Sequence, residues 1–412
     1  MKGLRTASRL QHISPFWVME CAKAADRLAR SPECDPALGG EPMIFLNIGE
    51  PDFTAPPAVL RAAEACLHSG QTQYTHATGL PELRQRIAGW YGTHFGVDVD
   101  PARIVVTAGA SAALQLLCLA LFEPGDDVLM PDPSYPCNRH FVAAAGARAQ
   151  LLPASAQARF QLDAASVAAH WGPATRGVLL ASPSNPTGTS IAPGEMAAIV
   201  DVVRAEGGVT IVDEIYLGLS YDSRFSHSVL GLPNAAGEDI VSINSFSKYF
   251  SMTGWRLGWM VLPPTLVPAV EKLAQNLYIC PSTLAQRAAL ACFEPESIAE
   301  YERRRAEFRR RRDFIVPALQ AIGFEVPVQP DGAFYVWADC SRFLAPGSAM
   351  PGSWEFCFEM MRRAHVALTP GRDFGPAAAE RFVRFSFASA LPQLQAAVAR
   401  LARELAPAAA AR

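Results

Sequence analysis

The chain has 412 residues, of which half are apolar and 18% are charged, and 36 Lys+Arg against 39 Asp+Glu give a formal net charge of −3. This composition is typical of a large globular protein with two or three domains, and it excludes disorder as the main state. The near-neutral balance creates no overall field that would attract nucleic acid or an anionic membrane. We therefore expect neither partner, and expect a shaped pocket instead.

Nine cysteines are scattered along the chain, and none stands in a C-x-x-C pair. Their odd number and their spacing argue against a disulfide framework and against a zinc site, so we expect no bound metal. Residues 1–16 carry basic side chains but no apolar run. We therefore expect no secretory signal and a cytoplasmic location.

Residues 104–122 carry no charge and approach the roughly 20 residues that a membrane-spanning helix requires. Polar or small residues, Thr107, Gly109, Ser111 and Gln115, interrupt the apolar run. The segment is therefore predicted to be a buried strand, a turn and a helix, not a membrane span.

Short apolar or β-branched runs recur in the first two thirds of the chain, and each predicts a strand: 104–107, 127–130, 177–181, 209–213 and 239–244. Between most of them lie segments with helical spacing, namely 110–122, 136–145 and 193–206. This alternation predicts an α/β fold in which a mostly parallel sheet is sandwiched by helices. Ligands of such sheets bind at the carboxyl ends of the strands.

The pattern changes after Pro281 to a long helical stretch over 282–319 and then to strands at 332–337 and 381–387. These elements predict a second, smaller α+β domain. The first 50 residues lack the strand–helix alternation and are expected to pack against that domain as an arm.

The predicted division of the chain has three parts. Residues 1–50 form the N-terminal arm and part of the small domain, residues 51–290 form the large domain, and residues 291–412 form the small C-terminal domain.

An arginine-rich run spans residues 302–312. Glu302 and Glu307 are spaced to pair with arginines three or four positions later on a helix. We therefore predict a solvated helix face here, not a nucleic-acid-binding patch.

Polar residues follow the predicted strands in a distinctive order: Gly109-Ala-Ser111, Pro133-Ser-Tyr135-Pro, Ser184-Asn-Pro-Thr-Gly188, Asp213-Glu-Ile-Tyr216 and Ser245-Phe-Ser-Lys248. Lys248 stands among small hydroxyl residues and eight positions before Arg256. A helix that opens after Gly109 would present free N–H groups and the positive end of its dipole to a phosphate. An amine beside an anion site suits an aldehyde cofactor that bears a phosphate.

With these residues in view, the chain resembles the pyridoxal-phosphate-dependent aminotransferases of class I/II, which have fold type I and are similar to aspartate aminotransferase. The likeness extends from about Phe16 to Arg384. Six motifs carry it in order: Asn47-Ile-Gly-Glu-Pro-Asp-Phe53, Tyr74-Thr-His-Ala-Thr-Gly79, Ser184-Asn-Pro-Thr-Gly188, Asp213-Glu-Ile-Tyr216, Ser245-Phe-Ser-Lys248 and Arg384-Phe-Ser-Phe. Each motif alone is weak evidence for this family, but the six in order over most of the chain are a specific signature of it.

The resemblance implies pyridoxal 5'-phosphate as cofactor, bound by the large domain, and a catalytic role for three residues. Lys248 would form the Schiff base and then move the proton between the substrate's Cα and the cofactor. Asp213 would bond the pyridine nitrogen and keep it protonated. Tyr216, together with Asn185, would donate to the phenolic oxygen of the ring.

The resemblance also implies which residues hold the cofactor's ring and phosphate. Tyr135 would stack on the pyridine ring. The phosphate would be bound by the backbone N–H groups of Ala110 and Ser111, by the hydroxyls of Ser245 and Ser247, and by the guanidinium of Arg256.

Substrate binding and assembly are implied in the same way. Arg384 would hold the substrate's α-carboxylate, with Asn185 beside it and with close backbone approach at Gly49. Tyr74 would reach the phosphate of a neighbouring subunit, which implies a homodimer with shared active sites. Residues 16–19 lie where the N-terminal arm of the family lines the substrate entrance.

The expected reaction is ping-pong transfer of an amino group from an L-amino acid to a 2-oxo acid. Some acidic-substrate relatives carry a lysine at the start of the phosphate-binding helix, where this chain has Ser111. We therefore expect a broad, neutral or aromatic donor, although another arginine could still make the chain an aspartate aminotransferase.

Two further alternatives remain at this point. A C–S lyase or an aminocyclopropane-carboxylate synthase would keep the same cofactor residues. A pyridoxal-phosphate-sensing regulator of DNA binding is disfavoured, because the family motifs begin by Phe16 and leave no room for a helix-turn-helix domain before them.

Overall fold

The computed structural model describes residues 4–235, 237–345, 349–377 and 379–406. The helices within these ranges are α1 (Trp17–Ala29), α2 (Pro57–Ser69), α3 (Pro81–Phe95), α4 (Ala110–Leu121), α5 (Pro136–Ala144), α6 (Ala164–His170), α7 (Pro193–Ala205), α8 (Val267–Leu277), α9 (Thr283–Ala289), α10 (Pro295–Ile322), α11 (Ser353–Ala364) and α12 (Leu391–Leu405). Several of them begin with proline, whose fixed φ suits the first turn of a helix.

The strands in the same ranges are β1 (Ile44–Phe45), β2 (Ile104–Thr107), β3 (Asp127–Asp132), β4 (Arg148–Pro153), β5 (Thr175–Ala181), β6 (Val209–Asp213), β7 (Ile240–Ser245), β8 (Gly258–Val261), β9 (Tyr335–Asp339), β10 (Val366–Ala367), β11 (Thr369–Pro370) and β12 (Phe382–Ser386). The strands predicted at 104–107 and 209–213 have the predicted ends, and the other predicted strands of the large domain differ by at most two residues at either end.

A seven-stranded sheet with the order β2-β8-β7-β6-β5-β3-β4 forms the centre of the molecule. All its strands run parallel except β8, which is antiparallel to both of its neighbours. Helices cover both faces of the sheet. Successive residues of β3 point to opposite faces, and those on one face, Val128 and Met130, pack with α4, α5 and α8. Leu129, on the other face, packs with α6 and α7. The predicted α/β fold with a mostly parallel sheet between helices is confirmed.

Two smaller sheets lie in the remainder of the chain. Strands β11, β12 and β9 form an antiparallel sheet, and β1 pairs in parallel with β10, with Ile44 opposite Val366. Helix α1 contacts α11, β10 and β11. The N-terminal segment therefore packs against C-terminal elements. The predicted division of the chain into an arm, a large domain and a small domain stays a prediction.

The segment with membrane-like length forms β2 and α4, and most of its side chains are buried in the protein. This outcome confirms the prediction of a buried strand, turn and helix. None of the described helices combines the length and the apolar character that a membrane span requires.

The prediction of a continuous helical stretch over 282–319 is wrong at one point. Helix α9 gives way to a 3-10 turn, Leu290–Phe293, and Glu294 is extended before α10 begins. The cause is Pro295, because a residue that precedes proline is pushed out of the helical region.

The prediction of a solvated arginine face is also wrong for part of α10. Glu302 and Glu307 do pair with arginines three or four positions later. However, Arg304, Arg311 and Arg312 are buried. They bind groups outside the helix, namely the carbonyl oxygen of Thr54 at 2.6 Å, the carboxylate of Asp52 at 2.8 Å and the carbonyl oxygen of Pro330 at 3.1 Å.

Candidate active site

A cavity of about 330 Å³ opens at the carboxyl edge of the central sheet. The ends of β2, β3, β5, β6 and β7 and the start of β8 meet there, so the polar residues that follow these strands converge. The cavity brings together most of the site residues predicted from the sequence: Gly49, Ala110, Ser111, Tyr135, Asn185, Asp213, Tyr216, Ser245, Ser247, Lys248, Arg256 and Arg384. Tyr74 lies outside this cavity, and its side chain is 79% exposed.

Lys248 follows β7, and its Nζ donates a hydrogen bond to the carbonyl oxygen of Gly49 at 2.6 Å. Burial lowers the pKa of the Lys248 ammonium to about 8, although the charge of Glu50 opposes this shift. The rings of Tyr216 and Phe334 lie 5.9 Å from Nζ. The surroundings thus make the neutral, nucleophilic amine far more accessible than it is in an ordinary lysine, and this form predominates above a pH of about 8.

Asp213 is the last residue of β6, and its carboxylate is buried within the cavity wall. Its Oδ1 accepts a hydrogen bond from the backbone N–H of Ile215 at 3.2 Å. Burial raises the pKa of Asp213 to about 6, and the hydrogen bond and the charge of Lys248 act in the opposite direction. A protonated ring nitrogen would supply the partner that this carboxylate needs.

An anion cradle is built at the start of α4, behind β2. Gly109 has φ +85°, and a Cβ at this position would lie 2.6 Å from Nη2 of Arg256, so the guanidinium approaches the backbone as closely as only glycine permits. The N-cap residue of α4 is Gly109 itself, which has no side chain that could cap this end. The first amides of the helix and the guanidinium therefore border one space, which suits a phosphate.

Two serines complete this cradle. The hydroxyl of Ser245 accepts a hydrogen bond from the backbone N–H of Ser247 at 3.0 Å and donates to the carbonyl oxygen of Leu257 at 3.3 Å. Both serines are buried and line the cavity. Their hydroxyls are small donors of the kind that bind phosphate oxygens.

Arg384 lies on β12 with its guanidinium buried and held on several sides. Nη1 donates to Oδ1 of Asn185 at 2.9 Å, and Nη2 donates to the carbonyl oxygen of Asn47 at 2.7 Å. The guanidinium carbon lies 4.5 Å from the ring centroid of Tyr335 and 5.1 Å from that of Phe374. The orientation of the planar fork is thus fixed, as two-point binding of a carboxylate requires.

Tyr335, on β9, is a site residue that the sequence reasoning missed. Its hydroxyl lies 2.7 Å from that of Tyr216, and a Cβ at Gly49 would lie only 2.5 Å from it. Gly49 thus allows close approach of Tyr335, while the approach of a substrate to its backbone stays a prediction. The period-2 pattern of the predicted strand could have shown that Tyr335 faces the same side as Trp337, but not that this side faces the cavity.

Burial raises the pKa of Tyr216 well above its ordinary value and also raises the pKa of Tyr335. Both hydroxyls therefore remain protonated across the physiological range. One of the two can donate to its neighbour while the other donates into the cavity.

The outer wall of the cavity is largely apolar. Tyr135 precedes α5, and Phe16 meets its ring edge-on with a centroid distance of 6.1 Å. Val18 and Met19 line the same wall, so three of the residues 16–19 line the cavity, and Trp17 is not among its lining residues. Burial raises the pKa of Tyr135 as well, so this ring carries no charge.

The cations of the cavity are few. Among the described residues that line it, the basic side chains are Lys248, Arg256 and Arg384. Arg256 belongs to the anion cradle, and Arg384 is fixed by Asn185 and Asn47. Among the described residues that line the cavity, there is therefore no further cation for a second carboxylate on a substrate.

The donor set fits pyridoxal phosphate: a buried amine with a lowered pKa, a buried carboxylate, an uncapped helix start with an adjacent guanidinium, and phenol donors between them. The amine of Lys248 and the carboxylate of Asp213 have different tasks. The amine can attach to the aldehyde, and the carboxylate can bind the ring nitrogen.

Comparison with known proteins agrees with this arrangement. The family model described as aminotransferase class I and II matches residues 41–401. A valine–pyruvate aminotransferase of Mycobacterium tuberculosis is 39% identical over 394 residues, which are 94% of this chain and 96% of that protein.

Solved structures are similar over the same length. The crystal structure of an aminotransferase from Mycobacterium tuberculosis has a TM-score of 0.90 at 38% identity and covers 98% of this chain and 99% of that one. Aspartate aminotransferase from Thermus thermophilus with maleate has a TM-score of 0.87 at 31% identity, with coverages of 98% and 100%. The chain therefore belongs to the class I and II aminotransferases, and it is a transaminase.

Proposed function

We propose that this transaminase moves the amino group of a neutral L-amino acid with an apolar side chain to a small 2-oxo acid, with pyridoxal phosphate as its cofactor. The observation that carries this proposal is the apolar wall of Phe16, Val18 and Met19 in a cavity whose described cations are all committed. The relative named valine–pyruvate aminotransferase supports the same class of donor and acceptor.

Pyridoxal phosphate, when bound, supplies an aldehyde that takes the amino group and a ring that accepts an electron pair. Lys248 holds the cofactor and, once its amine is free, moves a proton from the substrate's Cα through Nζ. Asp213 keeps the ring nitrogen protonated, because a carboxylate next to it stabilises the charged form.

Asn185 and Tyr216 orient the ring by donating to its phenolic oxygen. Since Oδ1 of Asn185 accepts from Arg384, its Nδ2 is the atom that donates into the cavity. The hydroxyl of Tyr216 donates in the same direction and is itself supported by the hydroxyl of Tyr335. Tyr135 covers one face of the ring.

Five residues would bind the phosphate: Ala110 and Ser111 through their backbone N–H groups, Ser245 and Ser247 through their hydroxyls, and Arg256 through its guanidinium. Binding at a helix start combines unpaired amides with the positive end of the helix dipole. These contacts would hold the cofactor independently of Lys248.

Arg384 binds the α-carboxylate of the amino acid and of the oxo acid alike. The same site must accept both substrates in turn, so we propose a ping-pong order in which each product leaves before the second substrate enters. The rings of Tyr335 and Phe374 flank the guanidinium and fix its orientation for both half-reactions.

We further propose a homodimer in which Tyr74 completes the phosphate site of the second subunit. In this chain the Tyr74 side chain is exposed and lies outside its own cavity, so it is available to another copy. Size measurement in solution tests this point, and a monomer with full activity would contradict it.

A single-turnover screen tests the proposed reaction. The purified holoenzyme is mixed with one amino acid at a time, and the absorbance of its cofactor is followed. We expect the fastest conversion with valine, leucine or other apolar donors, and recovery of the starting spectrum when pyruvate is added.

The same screen separates the alternatives. Fast conversion with aspartate and slow conversion with valine would identify an aspartate aminotransferase. Release of ammonia or of a thiol without any oxo acid would identify an elimination enzyme. Either result would overturn the proposed function.

A further inference from the structure

An acidic residue far along the chain holds the start of helix α1. The carboxylate of Asp373 accepts hydrogen bonds from the backbone N–H groups of Trp17 at 3.0 Å and Val18 at 2.5 Å. The side chain of the preceding N-cap residue, Phe16, makes no cap hydrogen bond. A residue more than 350 positions away thus supplies the cap that a local Ser, Thr, Asp or Asn usually provides.

Asp373 is suited to this task by its surroundings. It lies in the 3-10 turn Gly371–Asp373, which follows β11, and its relative exposure is 0%. Its backbone carbonyl oxygen accepts a hydrogen bond from Nη2 of Arg139 at 2.8 Å, which fixes the turn. A carboxylate at a helix start is stabilised both by the free amides and by the helix dipole.

The residues at this helix start form the apolar wall of the cavity. Phe16, Val18 and Met19 line the cavity, and Phe16 and Val18 pack in one cluster with Phe374. Phe374 is also one of the two rings that flank the Arg384 guanidinium. One turn therefore fixes both the apolar wall and a ring that supports the proposed carboxylate-binding arginine.

We propose that Asp373 is a specificity-determining positioning residue, which fixes the N-terminal arm over the site so that Phe16, Val18 and Met19 contact the side chain of the amino donor. The inference rests on the proposed function, because the wall can select donors only if the cavity binds amino acids. Asp373 itself is not among the residues that line the cavity.

The effect of Asp373 depends on the size of the donor. Without the cap, the arm opens more often, and the donor atoms beyond Cβ are then no longer covered by the wall. Alanine has no side-chain atoms beyond Cβ, whereas valine and leucine have several that pack against the wall. The carboxylate clamp and the proton-transfer groups stay in place, so binding suffers more than turnover.

The first experiment compares D373A with the wild-type holoenzyme. We expect amide hydrogen exchange in residues 17–20 to become about tenfold faster, in line with the loss of a helix cap. We also expect kcat/KM for valine and leucine to fall about tenfold more than kcat/KM for alanine, mainly through KM. A matched control is D163A, because Asp163 caps α6 by accepting from the backbone N–H of Ser166 at 2.7 Å and does not line the cavity.

A second pair of variants keeps the proposal testable if D373A does not fold. W17P removes one of the two N–H groups that donate to Asp373 and leaves that of Val18. Proline is well tolerated at the first helical position after an extended residue such as Phe16. W17A removes the same ring but keeps the N–H. We expect W17P to show faster exchange in residues 18–20 and weaker preference for valine over alanine than W17A.

The outcomes separate the two proposals. Unchanged exchange and unchanged donor preference in D373A and in W17P relative to W17A would overturn the role of Asp373, even if the wild type is fully active on valine. If the wild type does not use apolar donors, the proposed function fails, while the exchange data still decide whether Asp373 holds the arm. Faster exchange with an unchanged preference would also contradict the specificity role.

Discussion

The hydroxyl oxygens of Tyr216 and Tyr335 lie 2.7 Å apart, and the two rings meet nearly at right angles. Tyr335 also places its ring against the guanidinium of Arg384. A single buried side chain thus links the proposed donor to the cofactor's phenolic oxygen with the proposed substrate carboxylate clamp.

The two contacts of Tyr335 can be separated by substitution. Y335F removes the hydroxyl partner of Tyr216 but keeps the ring over Arg384, so we expect kcat to fall by about three- to tenfold, as for the loss of one buried hydrogen bond, with little change in KM. Steady-state kinetics with one apolar donor measures both constants. Y335L also loses the ring and should raise KM for the amino acid and the oxo acid; equal KM values for Y335F and Y335L would argue against a contribution of the ring.

Asp213 is expected to matter for proton transfer more than for cofactor binding. D213N keeps the shape but removes the charge that favours a protonated ring nitrogen, so we expect kcat to fall about a hundredfold or more, with a much smaller loss of cofactor affinity. Single-turnover kinetics and cofactor titration give the two quantities. The control is E214Q at the next residue, whose carboxylate accepts from Ser228, Val229 and Ser242 instead; similar losses in both variants would indicate a general packing defect.

The lowered pKa of Lys248 predicts a pH dependence for covalent loading of the cofactor-free protein. The neutral amine is the attacking form, so the rate should rise with pH and level off above a pKa of about 8, well below the ordinary lysine value of 10.5. Stopped-flow absorbance after mixing with pyridoxal phosphate measures this rate. A rate that keeps rising tenfold per pH unit up to about pH 10 would mean that burial does not lower the pKa.

A cation at position 111 should change donor preference. S111K keeps the backbone N–H proposed to bind the phosphate and adds the charge that the described cavity lining lacks for a distal carboxylate. We expect the ratio of kcat/KM for aspartate to that for valine to rise about tenfold or more, as a charge-assisted hydrogen bond would produce. S111Q, of similar length but neutral, is the control, and an equal rise in both variants would contradict an electrostatic cause.

Much of the fold and the candidate site could be predicted because both depend on local signals. The runs that end at Thr107 and Asp213 are strands by composition, and parallel strands bring their carboxyl ends to one edge whatever lies between them. Polar residues after those strands, such as Asn185 and Lys248, therefore converge without any knowledge of long-range contacts.

The parts that were missed depend on partners far away in the sequence. Arg304 and Arg311 bind Thr54 and Asp52, which lie more than 240 residues away in the sequence. Helical spacing alone therefore predicted that these arginines face solvent. Tyr335 reads as one more aromatic residue of a strand, and Asp373 as part of a turn. Their roles arise only when β9 and the start of α1 are packed against the cavity.

Covalent attachment of pyridoxal phosphate at Lys248 can be tested by chemical trapping. The holoenzyme is reduced with borohydride, digested and analysed by mass spectrometry, with K248A and K272A treated alongside; Lys272 is an exposed lysine of α8. We expect a phosphopyridoxyl mass on the peptide that contains Lys248 in the wild type and in K272A. We expect no such mass in K248A, which should also be inactive in both half-reactions. A label on another lysine, or full activity of K248A, would contradict attachment at Lys248.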